Sequence, residues 1–344
     1  MIEGILPGCV AVAEAFDDPP GAELFPEEER AIRGSAERRR REFTTTRHCA
    51  RRALAGLRIA PTAIPVGARR EPRWPVGVVG SLTHCEGYRA AALAAENRLV
   101  SVGIDAEPHA PMPEGMLAGI AGPAETSRLA EIGEEFPDVH WGRLAFSAKE
   151  SVYKAWYPVA RSRLEFHDVV LDFIPRTQTF TAELHRKCPS ADGRELNRLT
   201  GRWLVLNGLI LTAVTIAGRG SGAGGGGLTR PAGGGAPVDP KTDPRSECSS
   251  FRRLERAEVM ITRDDMTAVI AECMALQTGE ASVDYDTPIA IDSFSFVWLQ
   301  HQLGERFGYD LQPPEGEVMQ TLNSARAMHR YLAGLSPDRF APVD

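Results

Sequence analysis

The sequence has no run of apolar residues long enough to cross a membrane, because no window reaches the roughly 18 that a spanning helix needs. Its first residues lack the basic-then-apolar pattern of a secretory signal. The six cysteines lie far apart and form no C-x-x-C pair, which argues against a structural zinc site and a disulfide scaffold. These absences predict a cytoplasmic protein with reduced thiols and no membrane partner.

The chain is longer than one compact domain usually is, at 344 residues. Residues 218–236 hold ten glycines in nineteen positions, a composition typical of a flexible linker, and prolines continue that character further on. We therefore expect four segments along the chain: a first unit at 1–217, a linker at 218–257, a second unit at 258–336 and a tail at 337–344.

Charge is distributed unevenly along the chain. Residues 30–73 hold 13 arginines against three glutamates, whereas residues 241–344 carry the whole formal net charge of -7. A basic block of this kind attracts anions such as phosphates, nucleic acid or an acidic partner, and its plain alternative is a solvated helix face. The block lacks interleaved aromatic residues and any recognisable nucleic-acid motif, so we expect no nucleic-acid partner.

The first unit mixes strand-like and helix-like segments. Asn207-Gly208 separates two apolar runs and is a strong hairpin signal. Leu99 to Ile104 is typical of a strand that leads into Asp105, and Ser147 to Trp156 of a helix capped by Ser147. The absence of a βαβ pattern predicts an α+β fold rather than a Rossmann sheet.

The second unit has the periodicity of helices. Apolar residues recur at helical spacing from Met266 to Met274, again from Phe294 to Trp298, and a third time from Leu322 to Leu332. Three amphipathic helices in a segment of this length predict a small all-α bundle.

Two carboxylates follow the predicted strand at Leu99 to Ile104. Asp105 and Glu107 are two residues apart, so on a strand their side chains point the same way. Oxygen ligands of this kind suit Mg²⁺, with Mn²⁺ as a substitute, although such a pair is more often plain surface.

The predicted helix carries Glu150 and Lys154, which are four residues apart and share a face. The plain interpretation is a surface ion pair. The functional interpretation has Glu150 complete a metal site with Asp105 and Glu107, while Lys154 meets a phosphate. Upstream, Ser81, Thr83 and His84 follow a short strand and are candidates for binding a phosphate, although a lone histidine is more often structural.

Together these segments resemble the phosphopantetheinyl transferases of the surfactin-synthetase-activating class. The similar motifs are Gly103-Ile104-Asp105-Ala106-Glu107, the segment F-S-A-K-E-S-V-Y-K at 146–154, S-L-T-H at 81–84 and E-P-R-W-P at 71–75. The resemblance covers nearly all of residues 1–217. It implies two similar α+β lobes related by a pseudo-twofold axis, with a boundary near residues 100–105 and coenzyme A bound in the cleft between them.

The resemblance also implies roles for individual residues. Asp105, Glu107 and Glu150 would coordinate Mg²⁺ at the pyrophosphate of coenzyme A. Either Glu150 or a metal-bound water would be the catalytic base, and Lys154 or Lys149 would stabilise charge on the bridging or leaving oxygen. The 3′-phosphate end of coenzyme A would contact Ser81, Thr83, His84, Arg39 and Arg47. Arg69 or Arg70 would also contact it, because Val66 stands near where relatives often carry a basic residue.

The second unit contains the dipeptide Asp292-Ser293 before its middle helix. The plain interpretation is a helix cap formed by Asp292. The order of helices and the D-S-F sequence also resemble an acyl or peptidyl carrier protein domain, which would make Ser293 the acceptor of phosphopantetheine. The following helix has a single acidic residue, Glu305, so we expect recognition by apolar contact, with charge steering between the acidic module and the arginine block.

Two functions therefore remain open from the sequence. The first is a Mg²⁺-dependent transferase that loads carrier-protein serines from coenzyme A, with its own Ser293 as an acceptor in cis or in trans. The second is a catalytically weak anion-binding or carrier-docking protein of the same fold, and Glu150→Gln separates the two. Nothing in the sequence predicts an oligomer, so we expect a monomer.

Overall fold

A computed structural model describes residues 1–67, 69–186, 196–218, 260–278, 283–289, 291–312, 314 and 318–343. The predicted linker at 218–257 lies, apart from its first residue, outside these described residues. Within the described ranges, no helix combines the length and apolar character needed to cross a membrane.

The first sheet has three antiparallel strands in the order β1-β3-β2. Their bounds are Ala11–Ala15 for β1, Val78–Cys85 for β2 and Tyr88–Ala95 for β3. The short helix α1, Pro26–Glu29, precedes the long arginine-rich helix α2, Glu37–Gly56. The apolar face of α2 packs on this sheet and buries Cys49 and Leu54, which leaves many of its arginines on the other side.

The second sheet has five antiparallel strands in the order β4-β8-β7-β6-β5. Strands β7 and β8 are joined at Asn207 and Gly208, which have φ values of 53° and 76°. Two positive φ angles are those of a tight hairpin turn, so the predicted hairpin is confirmed. The bounds are Leu99–Pro108 for β4, Val169–Ile174 for β5, Thr179–Leu184 for β6, Arg198–Leu206 for β7 and Leu209–Ala217 for β8.

Helix α4, Trp141–Ala160, packs across the second sheet behind the shorter helix α3, Pro123–Glu135. The contact is close, because a side chain at Gly103 on β4 would overlap the backbone of Ser151 and Ala155. Ser147 was predicted to cap this helix, which is wrong: α4 begins at Trp141 and Ser147 is buried in its interior. The apolar stripe therefore extends further towards the N-terminus than the capping motif indicated.

Side chains rather than a backbone ladder join the two sheets. Ser81 Oγ accepts a hydrogen bond of 3.1 Å from the Ile104 amide, and Thr83 Oγ1 accepts one of 3.0 Å from the Ala106 amide. Both hydroxyls are buried, so they fix β4 against β2 where Asp105 and Glu107 lie. The mixed fold with two antiparallel sheets agrees with the α+β prediction.

The described residues after 260 are mostly helical. Helices α5, Arg263–Thr278, α6, Ser293–Phe307, α7, Val318–Thr321, and α8, Ala325–Leu335, surround one apolar core. The carboxylate of Asp292 accepts a 2.8 Å hydrogen bond from the Ser295 amide, so the predicted cap of α6 is confirmed. Gly308, with a φ of 63°, ends the same helix.

Candidate active site

One large cavity opens between the two sheets, next to the N-terminus of α6. Its volume is about 1280 Å³, which exceeds that of most small-molecule pockets. The cavity wall includes every side chain that sequence analysis proposed for chemistry or binding: Arg39, Arg47, Arg69, Arg70, Ser81, Thr83, His84, Asp105, Glu107, Lys149, Glu150, Lys154 and Ser293.

Asp105 lies at the floor of this cavity, on the part of β4 held by Thr83. Lys154 Nζ donates a hydrogen bond of 2.6 Å to Asp105 Oδ1, and Thr83 Oγ1 lies 3.4 Å from the same oxygen. Asp105 Oδ2 is buried and has no hydrogen-bond partner among the residues that the structure describes. Burial raises the pKa of Asp105 although the Lys154 ammonium opposes the shift. A buried carboxylate oxygen without a partner is a group that a cation would stabilise.

Glu107 lies on the same side of β4, two residues further on. Its Oε2 accepts a hydrogen bond of 3.0 Å from Arg143 on α4. Burial, together with the negative charge of Asp105, raises the pKa of Glu107 to about 8, although Arg143 opposes the shift. The two carboxylates therefore lie close enough for each to disfavour ionisation of the other.

Glu150 projects into the cavity from α4, one helical turn before Lys154. Burial and the nearby charge of Asp105 raise its pKa to about 7, against the attraction of Lys154 and a hydrogen bond from the Ser293 hydroxyl. Burial lowers the pKa of Lys154, but Asp105 and Glu150 outweigh it, so the net shift is upward. A carboxylate with a pKa of about 7 suits a general base, so this role of Glu150 stays a prediction.

The three carboxylates line one cavity, but each is paired with a group of this chain. Among the described residues, no group of three or more His, Cys, Asp and Glu side chains is gathered as a ready metal site. Lys154 contacts Asp105, Arg143 contacts Glu107 and Ser293 contacts Glu150. The carboxylate oxygens, including Asp105 Oδ2, are ligands that a hard divalent cation prefers. Because the described residues form no ready metal site, the predicted Mg²⁺ site stays a prediction.

Lys149 differs from its sequence-based interpretation. Its side chain is 1% exposed, and its ammonium lies 2.8 Å from Glu125 Oε2. The same nitrogen donates to three backbone carbonyls, at 2.6 Å to Ile120, 3.0 Å to Phe166 and 2.7 Å to Val169. With these partners its donors are fully used, so Lys149 fastens α4 to neighbouring segments and has no proton left for a phosphate.

The basic wall of the cavity comes from α2 and β2. Arg39 Nη1 contacts His84 Nε2, and His84 lies 3.7 Å from Glu42. Burial and the adjacent Arg39 lower the pKa of His84 well below its ordinary value, so the ring is neutral at physiological pH. Arg47 donates a 3.0 Å hydrogen bond to the Ile64 carbonyl and lies 4.0 Å from the centre of the Phe43 ring.

The remaining basic candidates lie on the loop before β2. Arg69 and Arg70 are both exposed, and Arg70 has a φ of 68°. The Arg69 amide is held by Glu71 Oε2 at 2.9 Å, which orders the turn. Both side chains are exposed at the cavity, although burial lowers the pKa of Arg70 to about 10, as it does that of Arg47.

Ser293 remains exposed at the start of α6, although the next residue, Phe294, is buried. Asp292 lies close enough to the basic wall of the cavity for its charge to act on Arg39. Burial lowers the pKa of Arg39, and the negative charges of Glu42 and Asp292 partly restore it. The dipeptide Asp292-Ser293 thus lines the cavity, near enough for Asp292 to affect the pKa of Arg39 and for the Ser293 hydroxyl to affect that of Glu150.

Apolar and aromatic contacts hold α6 against the first unit. The Phe294 ring packs edge-on against Phe146 at 5.4 Å, and the Arg143 guanidinium lies 3.9 Å from the centre of the Phe294 ring. Sequence analysis did not identify Arg143, because an arginine on a helix has no signal of its own without the partner that it contacts. The surrounding cluster comprises Met116, Ile120, Ala121, Phe146, Cys273, Phe294, Val297 and Trp298.

Two family models match the first unit. Residues 27–94 match the 4'-phosphopantetheinyl transferase N-terminal domain, and residues 101–200 match the 4'-phosphopantetheinyl transferase superfamily. With the relatives described next, these matches show that the chain belongs to the 4'-phosphopantetheinyl transferases and is an enzyme of that class.

Curated relatives match the chain over two different stretches. The 4'-phosphopantetheinyl transferase Svp of Streptomyces mobaraensis is 45% identical over 220 residues, which are 63% of this chain and 89% of that protein. The 4'-phosphopantetheinyl transferase PptT of Mycobacterium tuberculosis is 42% identical over 225 residues, 63% of this chain and 98% of that protein. The 4-methyl-3-hydroxyanthranilic acid carrier protein of Streptomyces anulatus is 38% identical over 80 residues, 23% of this chain and its own entire length.

Proposed function

We propose that this enzyme transfers the 4′-phosphopantetheine arm of coenzyme A to Ser293 of its own chain and releases 3′,5′-ADP. The observation that carries the proposal is that Ser293 and Glu150 line the same cavity as the motif residues, near enough for the Ser293 hydroxyl to lower the pKa of Glu150. Assignment to the surfactin-synthetase-activating class rests on the motifs at 103–107 and 146–154 and belongs to the same proposal.

In this proposal the helices from α5 to α8 form a carrier protein domain. Three observations support it: the full-length similarity to a protein named as a carrier, the single apolar core, and the position of Ser293 as the first residue of α6 after its Asp292 cap. Carrier domains of other proteins are the expected acceptors in trans.

The transfer itself is a displacement at phosphorus. The Ser293 oxygen forms the new bond to the phosphorus that bears the pantetheine arm, and the bond from that phosphorus to the 3′,5′-ADP oxygen breaks. The Ser293 proton passes to Glu150, which lines the same cavity and lies near this hydroxyl. Lys154, held by Asp105 at the cavity floor, supplies positive charge where the phosphoryl oxygens become more negative.

Asp105, Glu107 and Glu150 would hold Mg²⁺, which when bound neutralises negative charge on the pyrophosphate. The exposed Arg69 and Arg70, with Arg39 and the neutral His84, would bind the 3′-phosphate end of coenzyme A. Ser81 and Thr83 would act through β4 instead, because their hydroxyl oxygens already accept hydrogen bonds from its backbone amides. The two sheets thus shape a site in which positioning and charge supply the catalysis.

The test is to incubate the full chain with coenzyme A and Mg²⁺ and to determine its mass. The expected result is a gain of one phosphopantetheine, mapped to Ser293 by peptide analysis and absent in Ser293→Ala. Glu150→Gln should abolish the gain, whereas the matched control Glu183→Gln, exposed on β6, should retain it. A wild-type chain that modifies neither itself nor an added carrier protein would show a docking protein rather than a transferase.

A further inference from the structure

Arg143 joins two parts of the molecule that are remote in the sequence. Its Nη1 donates a hydrogen bond of 3.0 Å to Glu107, and its Nη2 lies 3.4 Å from the Pro111 carbonyl oxygen. The face of the same guanidinium lies 3.9 Å from the centre of the Phe294 ring, next to the acceptor Ser293. One side chain therefore contacts both a carboxylate of the predicted metal site and the helix that presents the serine.

This arrangement depends on the chemistry of arginine. The planar guanidinium donates hydrogen bonds along its edge and stacks with its face, so it can hold Glu107 and Phe294 together. A lysine ammonium has no such plane. Arg143 and Phe294 are only 8% and 6% exposed, and a cation stacked on a ring is attracted more strongly when water is excluded.

We propose that Arg143 is a specificity-determining residue that favours carrier domains with an aromatic side chain directly after the acceptor serine. By holding Glu107 at the same time, it positions the N-terminus of α6 relative to the acidic residues. This inference rests on the proposed function, because it takes Ser293 as the acceptor.

The surroundings of Phe294 support a selective contact rather than general apolar adhesion. The Phe146 and Phe294 rings are nearly perpendicular, with centres 5.4 Å apart, so two different groups contact one aromatic ring. Gly115, with a φ of 81°, leaves room for His301, since a Cβ at Gly115 would overlap the imidazole. An aliphatic residue at 294 would fill part of the space that the Phe294 ring occupies. It would lose both the contact with the Arg143 guanidinium and the ring contact with Phe146.

The experiment is a double-mutant cycle in the full-length chain with Arg143→Met, Phe294→Leu and both together. The first readout is hydrogen exchange of the α6 amides from Ser295 to Leu299, measured without coenzyme A. Each single substitution should increase the exchange of these amides by about three- to tenfold, and the double substitution should add little. Phe294→Tyr should preserve protection because it keeps the ring, whereas Arg143→Lys should restore it only in part.

The second readout is the rate at which Ser293 gains its arm, with Arg202→Met on β7 as the control for loss of an exposed arginine. The rate should fall in parallel with protection for Arg143→Met and Phe294→Leu and stay unchanged for the control. Additive effects in the cycle, or full activity and protection with Phe294→Leu, would overturn the inference. Failure of the proposed function is distinguishable, because it leaves wild-type Ser293 unmodified while the exchange cycle still reports the contact.

Discussion

The Lys154 ammonium donates a hydrogen bond of 2.6 Å to Asp105 Oδ1 and a second of 3.2 Å to the Ile104 carbonyl. Lys149, little more than one helical turn earlier, is directed to different partners and is buried against Glu125. Two lysines of one motif thus have different surroundings, since the ammonium of Lys154 reaches Asp105 and that of Lys149 is enclosed by Glu125 and backbone carbonyls. Their substitution should separate catalysis from stability.

Lys154→Met should lower the rate of Ser293 loading by at least about 100-fold while the chain remains folded. The substitution removes the positive charge that favours ionisation of Asp105 and Glu150, and that would stabilise the phosphoryl oxygens. The rate is measured by mass spectrometry and folding by circular dichroism. Lys154→Arg, which keeps the charge, should retain more activity; equal losses in the two variants would contradict the electrostatic role.

Lys149→Met should destabilise the protein by about 3 kcal/mol, because it leaves the Glu125 carboxylate buried without its cation. The free energy of unfolding is measured by urea denaturation. The double variant Lys149→Met with Glu125→Leu should recover much of this loss, since neither charge then remains. A stable Lys149→Met variant that loses activity would instead support a direct role in phosphoryl transfer.

The two lysines show which kinds of feature could be predicted from the sequence and which could not. Spacing on a helix placed Glu150 and Lys154 on one face, and Asn207-Gly208 predicted its hairpin, because both signals depend on local backbone geometry. The hydrogen-bond acceptors of Lys149 include the Ile120, Phe166 and Val169 carbonyls, which belong to segments remote from it in the sequence. No local pattern encodes such a set of partners.

The same limit applies to the hydroxyls of β2. The sequence predicted a phosphate contact for Thr83, but its Oγ1 accepts a hydrogen bond from the Ala106 amide at 3.0 Å. Thr83→Val should therefore cost about 1 to 3 kcal/mol of stability, as expected when a buried amide loses its acceptor, and leave the KM for coenzyme A unchanged. Unfolding experiments and steady-state kinetics check the two halves, with Thr83→Ser as the control. A raised KM at unchanged stability would favour the original interpretation.

Mg²⁺ should raise the melting temperature of the protein more at about pH 8.5 than at about pH 6. The pKa values of Glu107 and Glu150 are raised to about 8 and about 7, above the ordinary 4.5. Between pH 4.5 and about pH 8 the folded state holds more protons than the unfolded state. The stability that this cluster contributes is therefore lost as pH rises through this range. A bound cation must displace these protons, which is easier at high pH.

Thermal shift measurements with and without a chelator test this dependence. Glu107→Gln should reduce the shift caused by Mg²⁺ at the higher pH, whereas Glu183→Gln should not. A shift of the same size at both pH values, or one that survives Glu107→Gln, would show that Mg²⁺ binds elsewhere.

Loading of Ser293 should be independent of protein concentration, because the acceptor lies in the cavity of its own chain. If residues 218–236 act as the flexible linker that their composition predicts, the proposed carrier domain has an effective concentration of roughly millimolar, above the concentration at which the enzyme is assayed. The first-order rate constant should therefore stay the same when the protein is diluted about 100-fold, which is roughly the ratio of the effective concentration to the assay concentration. Full-length Glu150→Gln, mixed with Ser293→Ala, should be loaded much more slowly, since this pair can react only between chains. A rate that falls in proportion to dilution, or rapid loading of the mixture, would establish transfer in trans and leave the contact between Glu150 and Ser293 without its catalytic role.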